Sequence, residues 1–118
     1  MVFIIDDDHI MAECISLQCR HFGVKTRIFH NAIDAISALN NSTPSLIFLD
    51  ILLDGPNGFT FLNEIMSYPD TAQIPIVLVS TLDLNGRDLS VYGVVGVLDK
   101  AKMIPTEIRK YVQEYARS

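Results

Sequence analysis

The chain has no excess of positive charge. Nine Lys and Arg against 14 Asp and Glu leave a net charge of −5 over 118 residues, without the basic stripe that a general nucleic-acid binder carries. It also lacks charge runs, low-complexity segments and internal repeats, which removes tail and repeat architectures. Long apolar stretches are missing too. The N-terminus is apolar only from Val2 to Ile5 before three aspartates follow, too short for a signal peptide and far too short for a membrane span. A cytosolic protein without a membrane partner is therefore expected. Cysteine is scarce: Cys14 and Cys19 lie five apart and form no CxxC, so both are expected as buried free thiols. His9, His21 and His30 lack metal-ligand spacing with these cysteines and read as surface or structural residues. What is present is apolar content, 49 % of the chain, enough to exclude disorder and to build one compact domain over residues 1–118.

The organising stretch is Leu46-Ile47-Phe48-Leu49-Asp50. A short apolar run of this kind reads as a strand buried on both faces. Its closing Asp opens a loop with Asp54, Gly55, Pro56, Asn57 and Gly58. Taken alone, Asp50 reads better as a turn starter; the rest of the chain reverses that. Val2–Ile5 gives a first buried strand. Met11, Cys14, Ile15 and Phe22 recur at helical spacing, with Gly23 as a stop. Val24–Phe29 predicts a half-exposed second strand at a sheet edge. Asn31 can cap a helix with Ala32, Ala35, Ile36 and Leu39 on one face, broken between Asn40 and Ser45 by Pro44. Phe59, Leu62, Ile65 and Met66 predict a helix that stops before Pro69, and Ile74–Val79 a fourth strand with Pro75 near its start. Asp83–Tyr92 is a weak, short helix, with Gly86 inside it at a cost of about 1 kcal/mol relative to Ala. Val94–Leu98 is a fifth strand. Pro105 opens a last helix with Ile108, Tyr111, Val112 and Tyr115 as its apolar stripe. Five strands alternating with five helices imply an α/β fold, a parallel sheet with helices on both faces and right-handed crossovers.

Parallel strands put their ends at one edge, where open α/β sheets bind ligands. That edge gathers Asp6 and Asp7 from the first strand, Asp50 from the third, Ser80 from the fourth and Lys100 from the fifth. If the third, first and fourth strands adjoin, neighbours about 4.8 Å apart bring the carboxylates together. Crowded carboxylates raise one another's pKa, and a hard cation such as Mg²⁺ relieves the repulsion. Lys100 adds a positive charge and Ser80 a hydroxyl. Together they would stabilise a phosphoryl group on one carboxylate. Singly, each has a plainer reading: a solvated acidic loop, an exposed lysine, a serine helix cap.

In these residues the chain resembles the response-regulator receiver domains of two-component signalling, the CheY-like family. The likeness covers nearly the whole chain and rests on FIIDDDHIM, LIFLDILLDGPNGFTFL, IPIVLVST and LDK. It implies a flavodoxin-like three-layer sandwich with sheet order 2-1-3-4-5. It further implies Asp50 as phospho-acceptor and Asp7 as a direct ligand of Mg²⁺ (or Mn²⁺), with Asp6 acting through water and the Leu52 backbone carbonyl completing the set. Ser80 and Lys100 would hold the phosphoryl oxygens. The implied donor is a sensor histidine kinase or a histidine phosphotransfer protein, and the signal passes to an output domain or target. Such a domain acts only on itself, through its own phosphorylation and dephosphorylation. Several positions depart from the family pattern. Val97 stands where an aromatic is common, Thr81 where a small residue is usual, and Leu53-Asp54 where Met-Pro is common. Ala101 replaces a proline that is often cis; a cis bond there would cost roughly 2.5–4 kcal/mol, so a trans bond is expected. Leu52 and Leu82, two residues after Asp50 and Ser80, either exclude the hydrolytic water, which implies slow self-dephosphorylation, or merely pack locally.

Three other readings stay open. Asp6-x-Asp8 with IVLVS and Lys100 resembles a haloacid-dehalogenase-type phosphatase, but no late acidic pair follows and Asp50 is left without a task. A flavin-binding flavodoxin-like domain meets three aspartates where a phosphate would sit. A degenerate receiver would keep the fold as an interaction module.

Overall fold

The computed structural model describes residues 1–52, 58–81, 89–103 and 105–116. Five strands, β1 (Val2–Ile5), β2 (Thr26–Phe29), β3 (Leu46–Asp50), β4 (Ile76–Ser80) and β5 (Val94–Asp99), pair in parallel in the order β2-β1-β3-β4-β5. Helices α1 (His9–His21), α2 (Ala32–Leu39), α3 (Gly58–Met66), the single turn α4 (Pro69–Ala72) and α5 (Pro105–Tyr115) complete the described elements, with a 3₁₀ turn at Ser90–Tyr92.

The order explains the layers. The chain steps one way from β1 to β2, then back over β1 to β3 and onward. Right-handed crossovers therefore put α1 on one face and the later connections on the other. Strand residues divide accordingly. Phe3, Ile5, Ile47, Leu49, Ile76 and Leu78 pack with α2 and α3, whereas Val2, Ile4, Leu46, Phe48, Val77 and Val79 pack with α1 and α5. Every side chain of β1, β3 and β4 is buried, as near-continuous apolar runs require. β2 is half exposed at its edge. The Ile108 and Val112 side chains hold α5 to the sheet, each worth about 1.5–3 kcal/mol of burial.

Four expectations change. The buried face of α1 is Ala12, Ile15, Ser16 and Cys19, at i, i+3, i+4 and i+7. Cys14 and Phe22 are exposed, because Cys14 precedes Ile15 by one position, about 100° around the helix. Only Cys19 is a buried thiol; burial pushes it up to about 12. Ser16 lies inside because its hydroxyl pairs with Thr26 Oγ1 at 2.7 Å, which satisfies a buried polar group. β2 starts at Thr26 and β4 at Ile76, each two residues later than the pattern suggests, while β3 and β4 extend through Asp50 and Ser80. The fourth helical element precedes β4, where α3 was expected to give way to loop; Pro69 starts it, as proline suits a first helical turn. Of Asp83–Tyr92, residues 83–88 lie outside the described set, and Ser90–Tyr92 form the 3₁₀ turn.

Candidate functional site

The carboxyl edge of the sheet is built by strand ends. β1 ends at Ile5, and the chain turns through Asp6, Asp7 and Asp8 into α1. Asp8 caps that helix, accepting from the N–H groups of Ile10 and Met11 at 3.0 and 3.2 Å. Such a cap is worth about 1 kcal/mol and fixes where the acidic turn meets the helix. Asp6 turns inward and is 1 % exposed. Asp7 is half-buried. β3 carries Asp50 to the same edge, 4 % exposed, and β4 ends at Ser80, 1 % exposed. The Lys100 N–H donates to the Ser80 carbonyl at 3.0 Å, which sets the lysine beside β4. Its peptide bond to Ala101 is trans, as expected.

The Lys100 ammonium lies between two buried carboxylates. Nζ is 3.1 Å from Asp50 Oδ2 and 3.2 Å from both Asp6 oxygens. Asp6 Oδ1 receives a Lys100 N–H and the Asp8 N–H, the latter at 2.9 Å. Asp6 Oδ2 is buried and receives no hydrogen bond among the described residues. Asp50 Oδ1 accepts the Leu52 N–H at 2.9 Å, so both Asp50 oxygens are directed. Burial lowers the Lys100 pKa, but Asp6 and Asp50 outweigh it and hold the ammonium above the ordinary lysine range. Burial pushes Asp6 up to about 6, against the Asp8 N–H; the Asp50 charge adds to the rise and Lys100 opposes it.

Asp6, Asp7 and Asp50 each offer a carboxylate oxygen, all within 4.8 Å of one another. Octahedral ligands at about 2.1 Å from a small divalent cation lie about 3–4 Å apart, so a slight inward shift suffices. Three carboxylates share the one ammonium's neighbourhood, and Asp6 Oδ2 meets that ammonium only as an ion pair at 3.2 Å. An all-oxygen acidic set of this kind fits a hard cation. α3 closes the far side. A Cβ on Gly58 would lie 2.6 Å from the Ile51 Cα and 3.0 Å from the Asp50 carbonyl oxygen, so only glycine lets that helix start here. A hollow of about 350 Å³ between α2 and α3, lined by Ile36, Leu39, Ile65 and Tyr68 among others, is elsewhere and brings none of these groups together.

The structure thus brings together Asp6, Asp7, Asp50 and Lys100, with Ser80 adjoining through the backbone. Leu52 takes part through its N–H, and its side chain is 49 % exposed. Thr81 is exposed, and Val97 is 43 % exposed. Leu53, Asp54 and Leu82 lie outside the described residues. His30, read from sequence as surface or structural, is half-buried and reaches the Asp6 carbonyl at 2.9 Å, and His9 stacks on it. No spacing signals this pair, since residues 21 apart meet only because β1 and β2 adjoin.

The sequence model described as the response regulator receiver domain matches residues 2–113. Protein Rrf1 of Nitratidesulfovibrio vulgaris (strain Hildenborough) is 33 % identical over 95 residues, covering 80 % of this chain and 67 % of its own. The DNA-binding response regulator MtrA of Mycolicibacterium paratuberculosis is 27 % identical over 79 residues, 67 % of this chain. The chain spans about a third of MtrA, 34 % of its length. In fold, the Mn²⁺-bound form of response regulator Rcp1 superposes with a TM-score of 0.80 at 20 % identity, covering 99 % of this chain and 94 % of that one.

The raised Asp6 value has a pH consequence. The folded chain binds a proton more tightly than the unfolded one, whose carboxyl titrates near 3.8. Without divalent metal, the stability from this group is full below about pH 4, declines as pH rises through about 6 and stays lost above. Asp6→Asn is expected to flatten that slope and to raise stability at pH 8 by about 1–3 kcal/mol. Urea denaturation in chelator across pH 4–8 checks it; an unchanged slope contradicts the assignment.

Proposed function

The chain belongs to the response regulator receiver domain family, and on that premise we propose that Asp50 takes a phosphoryl group from a protein phosphohistidine, with Mg²⁺ or Mn²⁺ held by Asp6, Asp7, Asp50 and the Leu52 carbonyl. The observation that carries the reading is the Lys100 ammonium shared between Asp50 and Asp6. A cation placed against the acceptor carboxylate can follow the charge onto an incoming phosphoryl group without crossing the site.

In the transfer, an Asp50 oxygen bonds to phosphorus as the P–N bond of the donor imidazole breaks, and the nitrogen keeps the electron pair. Held by these residues, a divalent ion would neutralise phosphoryl charge. Lys100 pairs with a phosphoryl oxygen. The Ser80 hydroxyl donates to another. The Leu52 N–H keeps the carboxylate oriented for in-line attack. The chemistry is confined to the domain's own Asp50; it turns over no separate substrate. The donor is a sensor histidine kinase or a histidine phosphotransfer protein, and the phosphorylated domain acts on an output domain or target protein. With a net charge of −5, direct nucleic-acid contact is not assigned to this domain. Among the described residues no helix is long and apolar enough to cross a membrane; the cytoplasmic place beside a kinase is what the family reading implies. Val97 is too small to serve as the inward-swinging aromatic of the family, so the signal leaves Ser80 by another route.

Incubation with Mg²⁺ and acetyl phosphate, read by intact mass, is expected to add one phosphoryl group to the wild type. Asp50→Asn or chelator should abolish it, and Lys100→Ala should slow it about 100-fold. An adduct that survives Asp50→Asn would assign the acceptor elsewhere. No adduct from acetyl phosphate or a phosphohistidine protein would favour the interaction module.

Leu52, half exposed two residues after Asp50, has no group that can orient a hydrolytic water, and we expect a long-lived phosphoryl group. Leu52→Asn should shorten that lifetime several-fold. An equal or longer lifetime would place water control elsewhere.

A further inference from the structure

We propose that His30 is a positioning residue for the metal-binding aspartates, gripping the Asp6–Asp7 peptide from the neighbouring strand end. The proposal rests on the metal reading of Asp6, Asp7 and Asp50 given above. His30 Nδ1 lies 2.9 Å from the Asp6 carbonyl oxygen. A carbonyl only accepts, so Nδ1 carries the proton and donates. The Asp6 N–H donates to the Phe29 carbonyl at 3.0 Å. The backbone of Asp6 is therefore held on both sides by the same two residues, Phe29 and His30, although β1 has already ended.

The Asp6 carbonyl and the Asp7 N–H belong to one rigid peptide plane. Fixing that oxygen fixes the plane, and with it the direction in which the Asp7 side chain leaves the backbone. This matters for Asp7 more than for its neighbours. Asp6 is buried against Lys100 and Asp8 caps α1, whereas the half-buried Asp7 carboxylate has no hydrogen bond among the described residues. Its aim toward Asp50 depends on the backbone.

His30 is itself well fixed. It follows the last residue of β2 and precedes Asn31, which caps α2 by accepting the Asp34 N–H at 2.8 Å while its own amide donates to Asp34 Oδ2 at 2.9 Å. His9, the first residue of α1, stacks on the His30 ring with centroids 3.8 Å apart and planes 24° from parallel. The acidic turn is thus bracketed: its first carbonyl is bonded to His30, and the helix it leads into leans on the same ring.

Mn²⁺ binding to the full chain, followed by the paramagnetic resonance signal of the free ion, tests this with His30→Ala, His30→Phe and His30→Asn. Phe keeps a stacking surface and loses the donor. Asn places an N–H close to the Nδ1 position. Ala and Phe are expected to weaken Mn²⁺ binding roughly tenfold, and Asn to recover most of the loss. Melting in chelator is read beside it, and the Mn²⁺ loss in the Phe variant is expected without a matching change in melting. Equal losses in all three variants, or a loss that follows melting alone, would make His30 merely structural and overturn the proposal. Variants that all bind like the wild type would overturn it while leaving the metal reading intact. A wild type that binds no Mn²⁺ would overturn both.

Discussion

One lysine ammonium holds together an edge that would otherwise push itself apart. Asp6 and Asp50 are almost fully buried, and neither can be neutralised by water. Lys100 Nζ, within 3.2 Å of both, is what allows two carboxylates to sit at the ends of adjacent strands. Removing the ammonium from such a buried arrangement is costlier than the pairing is worth, because it leaves two carboxylates uncompensated. The arrangement is also incomplete. A third carboxylate, Asp7, lies within reach of the other two, and one ammonium cannot balance three negative charges. The surplus invites a divalent cation; burial chiefly, and the Asp50 charge after it, raises the Asp6 carboxyl.

The sheet supplies this geometry through register more than through side-chain packing. Ile5 pairs with Leu49, Asp50 with Val79 and Ser80 with Asp99. Each functional residue therefore follows its strand's apolar run by the same small step. Apolar side chains on both faces lock that register, since a one-residue slip would turn every core residue to the other face. The same logic explains why α3 can begin so close to Asp50. Gly58 has no Cβ to strike the Ile51 backbone, so the helix can start directly against Asp50 and Ile51.

Much of this was readable in the chain before any coordinates. LIFLD, FIID, IVLVS and VVGVLDK each show an apolar run closed by a polar residue, and parallel topology brings such ends to one edge. The strand order followed from the likeness to receiver domains, and the sheet adopts it. What was hidden depended on tertiary partners. Ser16, which no apolar pattern selects, lies inside because Thr26 across the sheet edge gives its hydroxyl a partner. Cys14 reads as core by composition, yet sits on the exposed side of the helix. The turn Pro69–Ala72 is too short for periodicity to reveal. The His9–His30 stack joins residues whose meeting depends on β1 and β2 being neighbours.

The central claim is that Asp50 bears the phosphoryl group, and its chemistry can be located directly. An acyl phosphate is reduced by borohydride, whereas a phosphoserine or phosphothreonine is not converted. The wild-type chain would be phosphorylated with acetyl phosphate and Mg²⁺, reduced, digested and sequenced by tandem mass spectrometry. Conversion of Asp50 alone to homoserine is the result the account predicts. Conversion at Asp6 with Asp50 untouched would contradict it and point to phosphatase-type chemistry at the end of the first strand.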